Sequence, residues 1–239
     1  MSITSVSLPG AYGLDAGFTP DTTQRHVLGT RIDVLDSYWG YRRLVYAKNA
    51  AAAYKVGYVC VMDVDSVMTI APVNTTGLNA PLYVCLHPMA SGTYGWYIEA
   101  GMAPVYSYVT LAANAIPAID AGHSGMIVTS ASTHLPIHGM AVLANDDKQA
   151  TATLIGTIGT TKLKLSTVDG FFVGGVISST GITSAQTVTA IDEAKKEITL
   201  SATWDSAPSG TIAFNYDGTS NEFWQLCRFR YPHGATAVV

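Results

Sequence analysis

The feature that most constrains this chain is a run of short alternating segments between Leu154 and Tyr216. In its clearest segments Leu163 and Leu165 alternate with lysines, and Ile198 and Leu200 alternate with Thr and Ser. This period of two is typical of a strand with one face in a core and the other in water. The intervening turns are rich in glycine, which allows the positive φ of tight turns: Asp169-Gly170, Gly174-Gly175, Thr180-Gly181 and the charged turn Asp192–Glu197. The run therefore predicts a compact all-β module of about 60 residues.

The chain before this run also reads as strands separated by turns. Candidate strands recur at spacings typical of sandwiches and small barrels: Arg31–Leu35, Val56–Val64, Leu82–Leu86, Trp96–Glu99, Tyr106–Leu111, Gly125–Thr129 and Gly139–Leu143. One exception is a short helix predicted at about 40–53, where Leu44, Ala47, Ala51 and Tyr54 fall at helical spacing. The predicted fold is mainly β, with a sandwich- or barrel-like domain.

Four segments follow from these patterns. Residues 1–29 are rich in Gly, Pro, Ser and Thr and predict an extended N-terminal arm, either frayed or lying along an adjacent subunit. Residues 30–150 form a β-rich domain, and residues 151–217 form the small β module. Residues 218–239 contain an aromatic-rich segment that predicts a strand. This strand can pair with the first domain, which would make the module an insertion in that domain.

Composition excludes several classes of protein. The net charge is −4 and only 13% of residues are charged, whereas nucleic-acid-binding proteins cluster Lys and Arg. The dense basic spots are Arg42-Arg43 and Arg228-Phe229-Arg230. No apolar run reaches the length of a membrane span, and the first residues lack the pattern of a signal peptide. Cys60, Cys85 and Cys227 lie in apolar surroundings without metal-ligand spacing, so we expect buried thiols in a protein made in the cytoplasm.

Three histidines lie close together in the sequence, but their pattern does not predict a metal site. Pro136 stands between His134 and His138 and argues against the helix that a zinc pair at i and i+4 needs. His123, with Asp120 nearby, is interpreted with them as a loop histidine that caps a turn or meets a subunit seam.

Other candidates for chemistry also fit structural roles better. Ser124 lies in Gly-His-Ser-Gly-Met, which lacks the second glycine of a nucleophile elbow. Asp63 and Asp65 are expected on one face of a strand, as solvated carboxylates rather than a calcium site or a catalytic pair. We therefore expect no catalytic, cofactor-binding or metal-binding residues, and a protein that is not an enzyme.

Two stretches resemble structural proteins of tailed bacteriophages. The first is VDGFFVGGVISSTGITSAQTVTAID followed by EITLSATWDSAPSGTIAFNY, which looks like a small β module that recurs in phage structural proteins. The second is GWYIEAG at Gly95–Gly101, which resembles a strand of phage head decoration proteins that is followed by a turn of small residues. The resemblance implies a virion protein on the capsid surface, with residues 30–150 as the capsid-binding domain.

The function that this resemblance implies is capsid decoration. Such a protein binds seams between subunits of the major capsid protein, often as a homotrimer at three-fold sites, and needs no cofactor, nucleic acid or membrane. Because aromatic residues are enriched at interfaces, the interface candidates are Trp39, Tyr41, Trp96 and Tyr97. The alternative is a phage fibre or a receptor- or carbohydrate-binding module, which would use exposed aromatic side chains as platforms.

Overall fold

The computed structural model confirms a mainly β fold. It describes residues 3–5, 20–36, 39–50, 53–71, 80–120, 122–130, 136–143, 150–215 and 223–234. Within these ranges the chain forms one large sheet and one closed barrel.

Eleven strands of the described residues belong to the large sheet. They are β1 (Ile3–Ser5), β2 (Arg31–Asp36), β3 (Gly40–Asn49), β4 (Val59–Met62), β5 (Val67–Ile70), β6 (Leu82–Cys85), β7 (Tyr94–Ser107), β8 (Pro117–Ile119), β9 (Ile127–Thr129), β10 (Ile137–Val142) and β17 (Phe223–Gly234). Six strands form the barrel: β11 (Ala150–Ile158), β12 (Lys162–Leu165), β13 (Val176–Thr180), β14 (Ile182–Asp192), β15 (Glu197–Leu200) and β16 (Ser209–Asn215).

The long strand β7 organises the sheet. Its first half pairs with β3 and, on the other edge, with β6, while its second half pairs with β17. Because β3 also pairs with β5, β5 with β4, and β4 with β6, these five strands form a closed circuit that begins and ends on β7. We call this circuit the β3–β7 ring. The turn of small residues that the resemblance of GWYIEAG implies is wrong, because the strand continues through Ala100 and Gly101, and the φ of Gly101 is +120°.

The predicted helix at about 40–53 is also wrong, because β3 occupies Gly40–Asn49. Leu44 and Tyr46 face one apolar cluster, and Val45 and Ala47 face another, so consecutive residues are all buried. A strand that is buried on both faces loses the alternation that identifies a half-exposed strand.

The barrel strands follow the order β11-β12-β15-β14-β13-β16, and β16 pairs with β11 to close the barrel. Leu163 and Leu165 face its interior, and the alternating lysines face out, as the sequence predicts. On β14 Val188 is buried but Ala190 is exposed, and the pairing with β15 shifts register between these two residues.

The barrel lies in the chain between β10 and β17. Its first and last strands are hydrogen-bonded, since Ala150 pairs with Phe214, so the segment enters and leaves at neighbouring positions. After the barrel, β17 inserts between β7 and β10 of the large sheet. The barrel's apolar cluster includes Trp39, Tyr106 and Met126 from outside the barrel, which ties the barrel to the sheet.

The end of the predicted N-terminal arm lies on the sheet of its own chain. Asp21 and Tyr94 exchange two backbone hydrogen bonds of 2.8 Å. The ring of His26 lies 5.0 Å from that of Tyr46 and 5.3 Å from that of Trp96. Near the chain start, β1 pairs with the outer edge of β2, and residues 6–19 of the arm lie outside the described residues.

Candidate interaction surface

The four aromatic interface candidates lie in different surroundings. Trp39 is buried in the barrel cluster, Trp96 is buried in the core of the sheet, and Tyr97 is buried inside the β3–β7 ring. Tyr41 differs, since 55% of it is exposed. On a single chain only Tyr41 of the four therefore presents its side chain to a partner.

Tyr41 belongs to a small apolar spot on the β2–β3 hairpin. Its cross-strand partner is Leu35, which is 48% exposed and points to the same side. The opposite face of this hairpin supplies the core residues Ile32, Val34 and Leu44. Because the inner face fixes the register, Leu35 and Tyr41 are held together on the outer face.

Asp33 fixes the side chains beside this spot. It accepts hydrogen bonds from Nε and Nη2 of Arg43 at 2.7 Å and 3.0 Å, an arrangement that holds both planar groups in place. These bonds are the main reason that the pKa of the Asp33 carboxyl lies below its ordinary value. A hydrogen bond from the Tyr41 hydroxyl to Asp33 raises the pKa of Tyr41. Asp33 and Arg43 are therefore held together, and the exposed Tyr41 ring lies on the same face of the hairpin.

A second ion pair borders the same face. Nε of Arg31 lies 3.0 Å and 3.1 Å from the two carboxylate oxygens of Glu99 on β7. This hydrogen bonding to Glu99 raises the pKa of Arg31. We call the exposed patch the hairpin surface, and its members are Arg31, Asp33, Leu35, Tyr41 and Arg43; Glu99 is buried and anchors Arg31 from β7.

The sequence-based interface candidates include Tyr41 but none of its neighbours on this surface. The signal was present in the alternation of Arg31–Leu35, which leaves Arg31, Asp33 and Leu35 on one face. The basic spot Arg42-Arg43 does not form a joint cationic patch, because Arg42 is buried and its guanidinium carbon lies 5.0 Å from the centre of the Trp39 ring.

Of the described side chains, Asp120 and His123 come nearest to the arrangement of a catalytic site. Nδ1 of His123 is hydrogen-bonded to Oδ2 of Asp120, and its ring stacks on Tyr108 at 3.8 Å between centroids. A carboxylate that orients an imidazole also occurs in acid–base sites, but such sites need a nucleophile or a substrate group within reach. Among the described residues, no hydrogen bond joins His123 to a serine or cysteine. The other two members of the histidine group considered in the sequence are His134 and His138. His138 lies on β10, and His134 lies outside the described residues.

The two aspartates near β4 have a local role. They lie in the turn that follows β4, rather than on a strand face as expected. Oδ1 of Asp63 accepts hydrogen bonds from the backbone N–H groups of Asp65 and Val67, at 2.9 Å and 2.8 Å, which stabilises the turn.

The prediction of buried thiols is confirmed for Cys60, Cys85 and Cys227, all of which are free. In the part of the chain that the structure describes, no group of three or more His, Cys, Asp or Glu side chains could hold a metal ion. No helix in the described ranges is long and apolar enough to cross a membrane. The chain matches no protein-family model, no curated protein and no solved structure.

Proposed function

We propose that this protein is a structural protein of a tailed-bacteriophage virion that decorates and stabilises the capsid. It binds seams between subunits of the major capsid protein and associates with copies of itself, as a homotrimer. The observation that carries this proposal is the hairpin surface, where the exposed cross-strand pair Leu35 and Tyr41 lies beside the ion pair of Asp33 and Arg43. Tyr and Arg side chains of this kind dominate the binding energy of protein interfaces.

The resemblance to phage structural proteins supports the same proposal. Its longer stretch spans the barrel from β13 to β16 and the turns that precede it. The barrel and the sheet share one apolar cluster, and such packing suits a protein whose role is mechanical. A tethered N-terminal arm would add a second contact and increase avidity.

The low charge of the chain supports a protein partner rather than nucleic acid, since phosphate recognition requires clustered cations. In this proposal the protein is not an enzyme. It is made in the host cytoplasm and resides on the capsid surface of the virion.

The copy number in purified particles of the encoding phage tests the proposal. Quantitative mass spectrometry against the major capsid protein should give a ratio close to that of a lattice component. A few copies per particle would favour the fibre or receptor-binding alternative. Absence from particles would overturn the virion role.

A further inference from the structure

We propose that Arg228 and Arg230, on the outer face of β17, dock an acidic segment of a partner protein. In the proposed function this partner is the major capsid protein, and the inference rests on that function for the identity of the partner alone. What it adds is the chemistry of the docked segment, which is extended and carries carboxylates on alternate residues.

Arg228 and Arg230 differ from the other arginines of the chain. Three of those form ion pairs with carboxylates, namely Arg25, Arg31 and Arg43. A fourth, Arg42, is buried. Arg228 and Arg230 are exposed, and no carboxylate among the described residues pairs with either of them. These two side chains therefore present cationic groups that a partner can bind.

The sheet fixes the positions from which the two arginines project. β17 lies between β7 and β10, so its backbone is paired on both sides. Cys227 and Phe229 on the same strand are buried in the core of the sheet, and the alternation of a strand turns Arg228 and Arg230 to the other face. Residues two apart on a strand are separated by about 7 Å. The two side chains thus leave one face of the sheet at a fixed separation of their backbones.

One arginine from each basic spot of the sequence lies on this face. Ala100 of β7 is the cross-strand partner of Arg43 on one side and of Arg230 on the other. Directly opposite residues of an antiparallel pair project to the same side of a sheet. Arg230 therefore shares its face with the hairpin surface, and a partner that covers Arg228 and Arg230 lies beside the apolar side chain of Tyr41.

The charge on this face identifies the occupant. The two ion pairs beside it are each neutral overall, so Arg228 and Arg230 leave a surplus of two positive charges among the described residues, on a chain whose net charge is −4. The rest of such a chain repels a long polyanion, whereas a short acidic segment needs only the local cations. Each guanidinium binds a carboxylate through two parallel hydrogen bonds. Because an extended segment repeats every two residues, acidic side chains at alternate positions match the spacing of the two arginines.

Binding of a model peptide by the purified full chain tests the site. The probe is a fluorescently labelled octapeptide of alternating Glu and Thr, and its anisotropy is measured over a series of protein concentrations. The variant with both Arg228→Gln and Arg230→Gln should bind the peptide about fivefold or more weakly than wild type, as expected for the loss of two exposed ion pairs. The difference should shrink when the salt concentration is raised from about 0.05 M to about 0.5 M.

The barrel offers a matched control. Lys162 and Lys164 are exposed cations two residues apart on β12, so Lys162→Gln with Lys164→Gln changes the net charge by the same amount. This control should bind the peptide as wild type does. Circular dichroism should show that all three proteins are folded. Equal affinity of wild type and the Arg228/Arg230 variant, or an equal loss in the lysine control, would overturn the site.

A charge reversal separates recognition from a structural effect. The variant with Arg228→Glu and Arg230→Glu should lose the Glu–Thr peptide and gain binding of a Lys–Thr octapeptide, because the face then has the opposite sign. Failure to bind the Lys–Thr peptide would overturn the role of charge. A labelled oligothymidylate with the same number of negative charges tests the class of partner. Its binding to wild type, as tight as that of the Glu–Thr peptide and lost in the Arg228/Arg230 variant, would overturn the assignment to a protein segment.

Purified capsids that lack this protein connect the site to the proposed function. The Arg228/Arg230 variant should bind them more weakly than wild type and the lysine control do. Undiminished binding of that variant would overturn the capsid protein as the source of the acidic segment. The proposed function fails separately. A chain that is absent from particles but still binds the Glu–Thr peptide through Arg228 and Arg230 would remove the virion role and leave this site intact.

Discussion

Two thiols inside the β3–β7 ring illustrate how burial sets the chemistry of a residue. Cys60 and Cys85 lie on neighbouring strands and contribute to one apolar cluster with Tyr54 and Tyr97. Burial raises the pKa of Cys85 to about 12, and it raises that of Cys60 well above the ordinary value of 9.0. Because the thiolate is the reactive form, both thiols should be inert at neutral pH in the folded chain.

The same pKa shifts predict a loss of stability in alkali. Cys85 ionises near pH 9 in the unfolded chain and near pH 12 in the folded one. Its contribution is therefore complete below pH 9 and is lost as the pH rises from 9 to 12, by up to about 1.4 kcal/mol per pH unit. Urea unfolding at a series of pH values should show a smaller alkaline loss for Cys85→Val than for wild type. Parallel pH profiles would contradict the prediction.

At the residue scale, sequence reasoning predicted burial better than it predicted exposure. The thiols were expected to be buried because cysteines in apolar surroundings usually are. Aromatic identity could not separate Tyr41 from Trp39, Trp96 and Tyr97, because a Tyr or Trp occurs both in cores and at interfaces. What distinguishes Tyr41 is its place opposite Leu35 on the outer face of a hairpin, which depends on the register of β2 with β3.

At the scale of elements, the sequence predicts a strand well where one face of that strand is exposed to solvent. The barrel strand β12 alternates lysine and leucine, and its burial follows that alternation. In β3 the residues from Arg42 to Ala47 are almost all buried, because the strand lies between β2 and β7 and packs on both faces. No local sequence pattern shows that both faces of this strand are buried, so a rule based on hydrophobic periodicity predicts a helix here.

One glycine of the barrel tests how tightly this element is packed. A Cβ atom at Gly175 would lie 1.9 Å from Cζ of Phe214, whose ring packs against Phe171 and Phe172. Gly175→Ala should therefore lower the free energy of unfolding by about 3 kcal/mol, as measured by urea unfolding. Gly156→Ala is the control on the same barrel, since nothing lies within 4 Å of its Cβ, and its effect should stay within about 1 kcal/mol. Equal effects of the two substitutions would show that the barrel interior has room at Gly175.

At the scale of the whole molecule, the barrel and the sheet share a core. Trp39, Tyr106 and Met126 from outside the barrel join its interior residues in one apolar cluster. The alternation of the barrel strands was visible in the sequence because it is local. The contacts with Trp39 and Tyr106 were not, because these residues lie far from the barrel in the sequence and meet it only when both parts have folded.

This shared core predicts that the barrel can fold alone but is weaker alone. Residues 150–215 begin and end on paired strands, so the isolated segment should give a β-type circular dichroism spectrum and unfold cooperatively. Its small size and the loss of the contacts with Trp39 and Tyr106 should lower its stability below that of the barrel in the full chain. Trp39→Ala should produce part of that loss in the full chain, by about 3 kcal/mol or more. If the isolated segment were unfolded, closure of the barrel would require the sheet as a template. If instead it were as stable as the full chain, the cluster around Trp39 would contribute nothing to the barrel.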